Sequence, residues 1–222
     1  MLFDRVAVSA NIRNKDGKRV FYLAKGDQLT SDARDYLTRE RIEILPAEKA
    51  RPERYQLLGG GYMEEKPEHM THLNAQVLVP KTHPRIAYRG AMDTLEAALL
   101  LCQLYAPQWE NELQEILEFA RKLLRCDVLE EKVEEVKLCG MDQTQLRQRS
   151  HFPQNYYGQP HFMPEARDGQ AVLWLNKARC AARDAELKAV AAMPEREDLL
   201  RAMNRLSSTL YILMIREKAK QL

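Results

Sequence analysis

Hydrophobic positions follow two different rhythms along the chain. From Val6 to Ile12, Val and Ala alternate with Ser and Asn, and from Lys18 to Leu23 the same alternation carries Val20 and Tyr22. A period of two predicts strands. Asp16-Gly17 lies between them and suits a hairpin turn, because Gly tolerates positive φ. Leu29 to Asp32 then offers Thr30 or Ser31 as the cap of a short helix through Glu40, and Ile42, Ile44 and Leu45 read as extended. Residues 46–69 hold Pro46, Pro52, Gly59-Gly60-Gly61 and Pro67, which is linker chemistry. Residues 1–69 are therefore expected to form a small α/β appendage with its linker, and residues 70–222 a helical domain.

After Met70 and a short extended stretch at Val77 to Val79, the period becomes helical. Thr82 is a candidate cap and Pro84 suits a first turn, where its missing N–H would be unpaired anyway. Ile86, Met92, Leu95, Leu99 and Cys102 recur at helical spacing to about Tyr105. Pro107 opens a second helix whose apolar face is Leu113, Ile116, Leu117, Ala120, Leu123 and Leu124. Asp142 can cap a third helix, through Arg149. A loop from His151 to Pro164 follows, then a long helix over about Gln170 to Ala192. The last one opens after Pro194 and reaches about Lys218. The expected fold class is mainly α, a four- or five-helix antiparallel bundle with the small α/β appendage.

Charge narrows the function classes. Lys plus Arg number 34 and Asp plus Glu 32, a net +2, so binding of nucleic acid by bulk charge is not expected. The apolar runs Ala97 to Leu101 and Tyr211 to Ile215 are too short to cross a bilayer, and Met1 to Arg13 does not read as a signal peptide. Cys102, Cys126, Cys139 and Cys180 are far apart, so no CxxC metal or redox unit exists. Reduced thiols in a cytoplasmic protein are expected.

Polar residues break the bundle pattern in three places. Arg89 and Asp93 are one turn apart in the first long helix, consistent with a surface pair. Gly90 between them costs about 1 kcal/mol in a helix interior and suggests close approach by another backbone or a ligand. Arg179, Arg183 and Glu186 share one face of a later helix. A solvated charged face explains them by spacing alone; a guanidinium pair for phosphates is the functional alternative. Asn204, Ser208 and Tyr211 share a face that runs into Ile212 to Ile215, apolar all round, so that face either lines a site or meets another subunit. His69, His72 and His83 have no spacing that demands a site.

Lys81-x-x-Pro84-Arg85-Ile86, followed by Gly90 and Asp93-x-Leu95, resembles the first-helix signature of the ATP:corrinoid (cobalamin) adenosyltransferases of the propanediol-utilisation type. Asn204-Arg205-Leu206-Ser207 resembles their last-helix signature. The closer resemblance is to the ethanolamine-utilisation branch, through Leu29 to Leu37, Thr71-His72-Leu73, Ser150-His151-Phe152-Pro153 and Pro164-Glu165-Ala166. The resemblance implies transfer of the 5′-deoxyadenosyl group of ATP to cob(I)alamin, with release of triphosphate, in a homo-oligomer (a trimer) with sites between subunits. It implies ATP contacts from Thr71, His72, Lys81, Arg179, Arg183, Glu186 and Asn204, with Mg²⁺ on the triphosphate. Asp93 would pair across the interface with Arg183, both serving catalysis. Phe162, Phe152 and Tyr157 would wall the corrin. A flavin-dependent reductase, an adenosylcobalamin-dependent enzyme and a bacterial microcompartment are the implied partners and setting.

Three departures stand out. The glycine-rich phosphate loop of the propanediol-type enzymes is absent before Lys81, Asp184 and Leu187 replace arginines of the family's Arg-Arg-x-Glu-Arg pattern, and residues 50–70 hold no Cys, so no metal site of the protein's own is expected. A non-catalytic corrinoid carrier, or a helical docking protein of a microcompartment, is the alternative.

Overall fold

The computed structural model describes residues 2–15, 18–47 and 55–221, which fall into two compact units. The expected turn at Asp16-Gly17 and the linker residue Pro52 lie outside the described residues.

The small unit comprises residues 1–55 and 61–65. It holds β1 (Leu2–Phe3), α1 (Arg5–Ala10), β2 (Arg13–Lys15), β3 (Lys18–Ala24), β4 (Gln28–Leu29), α2 (Ser31–Arg39) and β5 (Glu43–Ala47). β3 is central: it pairs antiparallel with β2 and parallel with β5, while β1 and β4 form a separate parallel pair. Thr30 caps α2, its side chain accepting the Ala33 N–H. Its core is Val8, Phe21, Leu29, Ala33, Leu37 and Ile42, with Phe3 edge-on to Phe21 at 5.5 Å. The strand expected over Val6–Ile12 is instead helical at its start. Asp4 accepts the Ala7 N–H at 2.8 Å and nucleates α1, so local capping overrides the alternating pattern.

Two short strands, β6 (Tyr55–Leu57) and β7 (Tyr62–Met63), follow. The second unit comprises residues 56–60 and 66–222. At its start, β8 (Met70–His72) pairs antiparallel with β9 (Val77–Pro80), and Gln56 and Leu57 pair parallel with Val77 and Leu78. β8 is absent from the hydrophobic pattern because only Met70 of its three residues is buried.

The rest is helical: α3 (Pro84–Tyr105), α4 (Glu110–Val128), α5 (Gln143–His151), α6 (Pro153–Tyr157), α7 (Gly169–Ala192) and α8 (Glu197–Ala219), with a two-residue hairpin pair, β10 (Lys137–Leu138) and β11 (Met141–Asp142), before α5. This is the expected mainly α bundle. α3 packs chiefly on α7, α7 on α8, and α5 on α8. The buried face of α7 is nearly all alanine, with Ala178, Ala182, Ala185 and Ala189 fully buried. Small side chains let its neighbours approach closely, and Leu95, Leu99, Leu206, Leu210 and Leu213 fill the space beside them. Each such leucine contributes about 1.5–3 kcal/mol by leaving water.

The helix ends depart from expectation in detail. His83, not Thr82, caps α3, its Nδ1 accepting the Arg85 N–H at 3.2 Å. Asp142 does cap α5, in a capping box closed by Gln145. The segment after His151 is not all loop, because Pro153 starts the single turn of α6. At the far end, Lys218 of α8 donates to Asp168 at 2.7 Å and ties the start of α7 to the C-terminus of α8.

Candidate ligand site on the helical unit

The pattern-breaking polar residues separate into a joined group and a set of free ones. The joined group spans α7 and α8. Glu186 and Asn204 are both half-buried, and Asn204 Nδ2 donates to Glu186 Oε1 at 2.7 Å across the helix contact. Asn204 Oδ1 accepts from Arg205 Nη2 in a short bond. Two turns further along α8, the Arg179 guanidinium lies over the Tyr211 ring, 5.1 Å from its centroid. The Tyr211 hydroxyl bonds His161 Nδ1 at 2.6 Å, and His161 Nε2 lies 3.1 Å from the His151 carbonyl. Since that carbonyl only accepts, Nε2 carries the proton and Nδ1 accepts from Tyr211. Burial holds the Tyr211 hydroxyl above its ordinary pKa, against the opposing pull of Arg179. The hydroxyl is therefore a donor at neutral pH.

These contacts fix the polar groups along one face of α8: a cation on an aromatic ring, an amide held by a carboxylate, and the hydroxyls of Ser207 and Ser208 turned back on the Asn204 carbonyl. A bundle has no packing need for polar groups here, and their mutual bonds offset the cost of partial burial.

The free set comprises Arg183, Asp93 and Lys81. All three are exposed, and none makes a side-chain hydrogen bond or ion pair among the described residues. The surface pair Arg89–Asp93 does not form. Arg89 turns the other way, its Nε donating to Asp127 at 2.7 Å, beside the Arg85 Nε at 2.8 Å. Asp127 is fully buried, and no feature of the sequence pattern marks it. Thr71 and His72 lie on β8, where Thr71 pairs with Val79 and the His72 carbonyl faces Arg89 at 3.5 Å.

Asp93 and Arg183 sit on helix stripes of unusual composition. On α3, Gly90, Asp93, Ala97, Leu100 and Leu104 fall on one face and all are exposed. On α7, Cys180, Arg183, Leu187 and Val190 do the same. Leu104 and Leu187 are 68% and 65% exposed, far from what an aliphatic side chain meets in a monomer's interior. Gly90 does not serve close packing within the chain, since a Cβ there would meet no atom within 4 Å.

Of the aromatic candidates, Phe162 and Tyr157 are half-buried against the bundle core, with the Lys218 ammonium 6.0 Å from the Phe162 ring. Phe152 is exposed. The four cysteines carry no disulfide, and Cys102 is held by burial at a thiol pKa of about 12, which keeps it inert. No described helix is long and apolar enough to cross a membrane.

The chain has relatives among known proteins. A family model described as "Cobalamin adenosyltransferase" matches residues 61–217. The chain is 33% identical over 163 residues to the corrinoid adenosyltransferase EutT of Salmonella typhimurium, covering 70% of this chain and 61% of that one. It is 33% identical over 164 residues to the EutT of Escherichia coli K12, covering 71% and 61%. The chain thus spans about 61% of the length of the curated relatives it matches. Among solved structures, it is similar to a variant PduO-type ATP:corrinoid adenosyltransferase from Lactobacillus reuteri complexed with cobalamin and ATP, at 18% identity, TM-score 0.49, over 80% of this chain and 92% of that one. A second variant of that protein, complexed with ATP, is similar at 21% identity and TM-score 0.49, over 69% and 91%.

Proposed function

The chain belongs to the cobalamin adenosyltransferase family, and on that premise we propose that it transfers the 5′-deoxyadenosyl group of ATP to the cobalt of cob(I)alamin, releasing triphosphate. The observation that carries the reading is the Glu186–Asn204 bond between α7 and α8, with Arg179 set over Tyr211 two turns further along α8. These are four of the polar groups the bundle itself has no use for, fixed in place before any ligand arrives.

The chemistry asks for what these residues offer. Cobalt is the nucleophile and attacks the 5′ carbon, so no side-chain nucleophile is required. The C5′–O bond breaks and triphosphate leaves with the bonding pair. Its developing charge must be met by preorganised cations and N–H donors. Arg179, Arg183 and Lys81 are the cations, Asn204 the amide donor, and Glu186 orients Asn204. Thr71 and His72 complete the nucleotide side. Mg²⁺ arrives with the triphosphate as part of the substrate. Phe162, Phe152 and Tyr157 form the apolar wall against the corrin, which keeps water from the reduced cobalt.

The site is completed by a second copy of the chain. Asp93 and Arg183 have opposite charge, are both unpaired among the described residues, and lie on stripes that expose leucine and valine. A homo-oligomer, a trimer by family resemblance, buries those stripes and lets Asp93 of one copy orient Arg183 of the next. A flavin-dependent reductase as the source of reduced corrinoid, an adenosylcobalamin-dependent enzyme as the recipient, and a microcompartment of ethanolamine utilisation as the setting belong to the same proposal.

The test is incubation with ATP, Mg²⁺ and chemically reduced cobalamin while the cob(I)alamin absorbance is followed. Wild type should form adenosylcobalamin, and Asn204→Ala or Arg183→Ala should slow it by about 10²-fold or more, the scale of losing one transition-state donor. No product from wild type overturns the activity. Unchanged rates in both variants overturn the site.

A further inference from the structure

A second set of cations lies where α5 packs on the first half of α8. Arg147 of α5 and Arg201 and Arg205 of α8 line a groove of about 600 Å³, together with Thr144, Gln148 and Phe152. No carboxylate lines this groove, and no ion pair engages any of the three arginines among the described residues. Arg201 and Arg205 are one turn apart on the same face of α8.

Arg205 shows that the cations lack an ion-paired counter-charge among the described residues. It is half-buried, and among the described residues its Nε is buried without a partner and its Nη1 reaches only the Gln143 carbonyl, at 3.4 Å. Burial lowers its pKa, and Arg147 and Arg201 push the same way against the pull of Glu186. A guanidinium stays charged even so, and three of them facing one groove repel each other unless an anion enters. Guanidinium groups bind phosphate oxygens in bidentate pairs, and Thr144 and Gln148 add neutral donors. Three cations match a chain of phosphates better than a single carboxylate.

The groove also adjoins the proposed nucleotide site, because Arg205 Nη2 donates to Asn204 Oδ1. No glycine lies between Gly61 and Lys81, so no glycine-rich turn cradles phosphates directly before Lys81. We infer that the α5–α8 groove is a phosphate site and receives the triphosphate end of the nucleotide; the choice of nucleotide rests on the proposed function.

Calorimetric titration with inorganic triphosphate tests it, on wild type, Arg147→Ala, Arg201→Ala and the double variant. Both residues are exposed, so the variants keep the fold. Each substitution should weaken triphosphate binding about tenfold, and the double variant should lose most of the salt dependence. Affinity unchanged within about twofold in the double variant overturns the inference. A second titration compares cobalamin with cobinamide, which lacks the phosphodiester of the nucleotide loop. Variants that weaken cobalamin alone and keep triphosphate overturn the assignment in favour of the corrinoid phosphate. Wild type that forms adenosylcobalamin, with variants of unchanged triphosphate affinity and KM for ATP, leaves the enzyme standing and removes the groove. Arginine-dependent triphosphate binding without adenosylcobalamin upholds the groove and removes the enzyme.

Discussion

Asp127 binds two arginines through its two carboxylate oxygens and receives the second arm of Arg85 on its own carbonyl at 2.6 Å. It is fully buried, so its charge is tolerable only while both partners remain. This knot joins α3 to α4 just after β9. Asp127→Ala should cost about 3–5 kcal/mol in urea unfolding, because Arg89 loses its counter-charge and Arg85 keeps only the exposed Glu130, 3.2 Å away. A loss below about 1 kcal/mol would show that water already reaches the site. At this scale the sequence was only half legible. The i,i+4 spacing of Arg89 and Asp93 pointed to a pair that does not form, since a carboxylate 38 residues away is better placed for Arg89. Glu186 and Asn204 were each expected at the site, but their mutual bond spans 18 residues and follows from how two helices cross, which no periodicity encodes. No sequence signal marks Arg147 and Arg201, because an arginine on a polar helix face looks the same whether solvent or an anion lies in front of it.

Among elements, the long helices were legible almost to the residue. α3 has Pro84 in its first turn, and α5 carries its Asp142 cap in sequence. What pattern could not supply was short structure fixed by local caps or by pairing with a neighbouring strand, namely α1, β8 and α6. The start of α8 belongs to the same class. Arg196 precedes it without a side-chain cap, but Asp198 in its first turn accepts from Arg196 Nε at 2.9 Å and from the Val133 N–H at 2.8 Å. The Arg196 hydrogen bond holds the Asp198 carboxyl far below the usual carboxylate range. A lowered folded-state pKa stabilises the protein above the unfolded value near 4, and that contribution is lost as pH falls toward the folded one. The urea midpoint should therefore drop below about pH 4, and Asp198→Asn should flatten that drop while lowering stability at pH 7. Parallel pH profiles for the two proteins would exclude the link.

For the whole molecule, the question is what covers the α3 and α7 stripes. Leu100 and Leu104 are half or more exposed on a helix whose other face is a closed core. Leu104→Glu should shift an assembled protein to monomer in light scattering after gel filtration, and lower adenosyl transfer with it, with little change in monomer stability. An unchanged mass would place the partner surface elsewhere. The bundle class was legible because helix length and apolar spacing agree over the whole second half of the chain. The partner surface was not, because exposed leucines differ from buried ones only once the neighbours are known.

Gly90 lies on that same stripe, one turn before Asp93, with open space where a side chain would stand. An alanine there would strengthen the isolated helix by about 1 kcal/mol. On the assembled reading, the space is needed by a neighbour's backbone or by ligand, so the same alanine would weaken the complex. Stability of the single chain and competence of the assembly are then separate quantities, pulled in opposite directions by one hydrogen-for-methyl exchange. Engineering aimed at melting temperature alone would select the wrong residue at position 90.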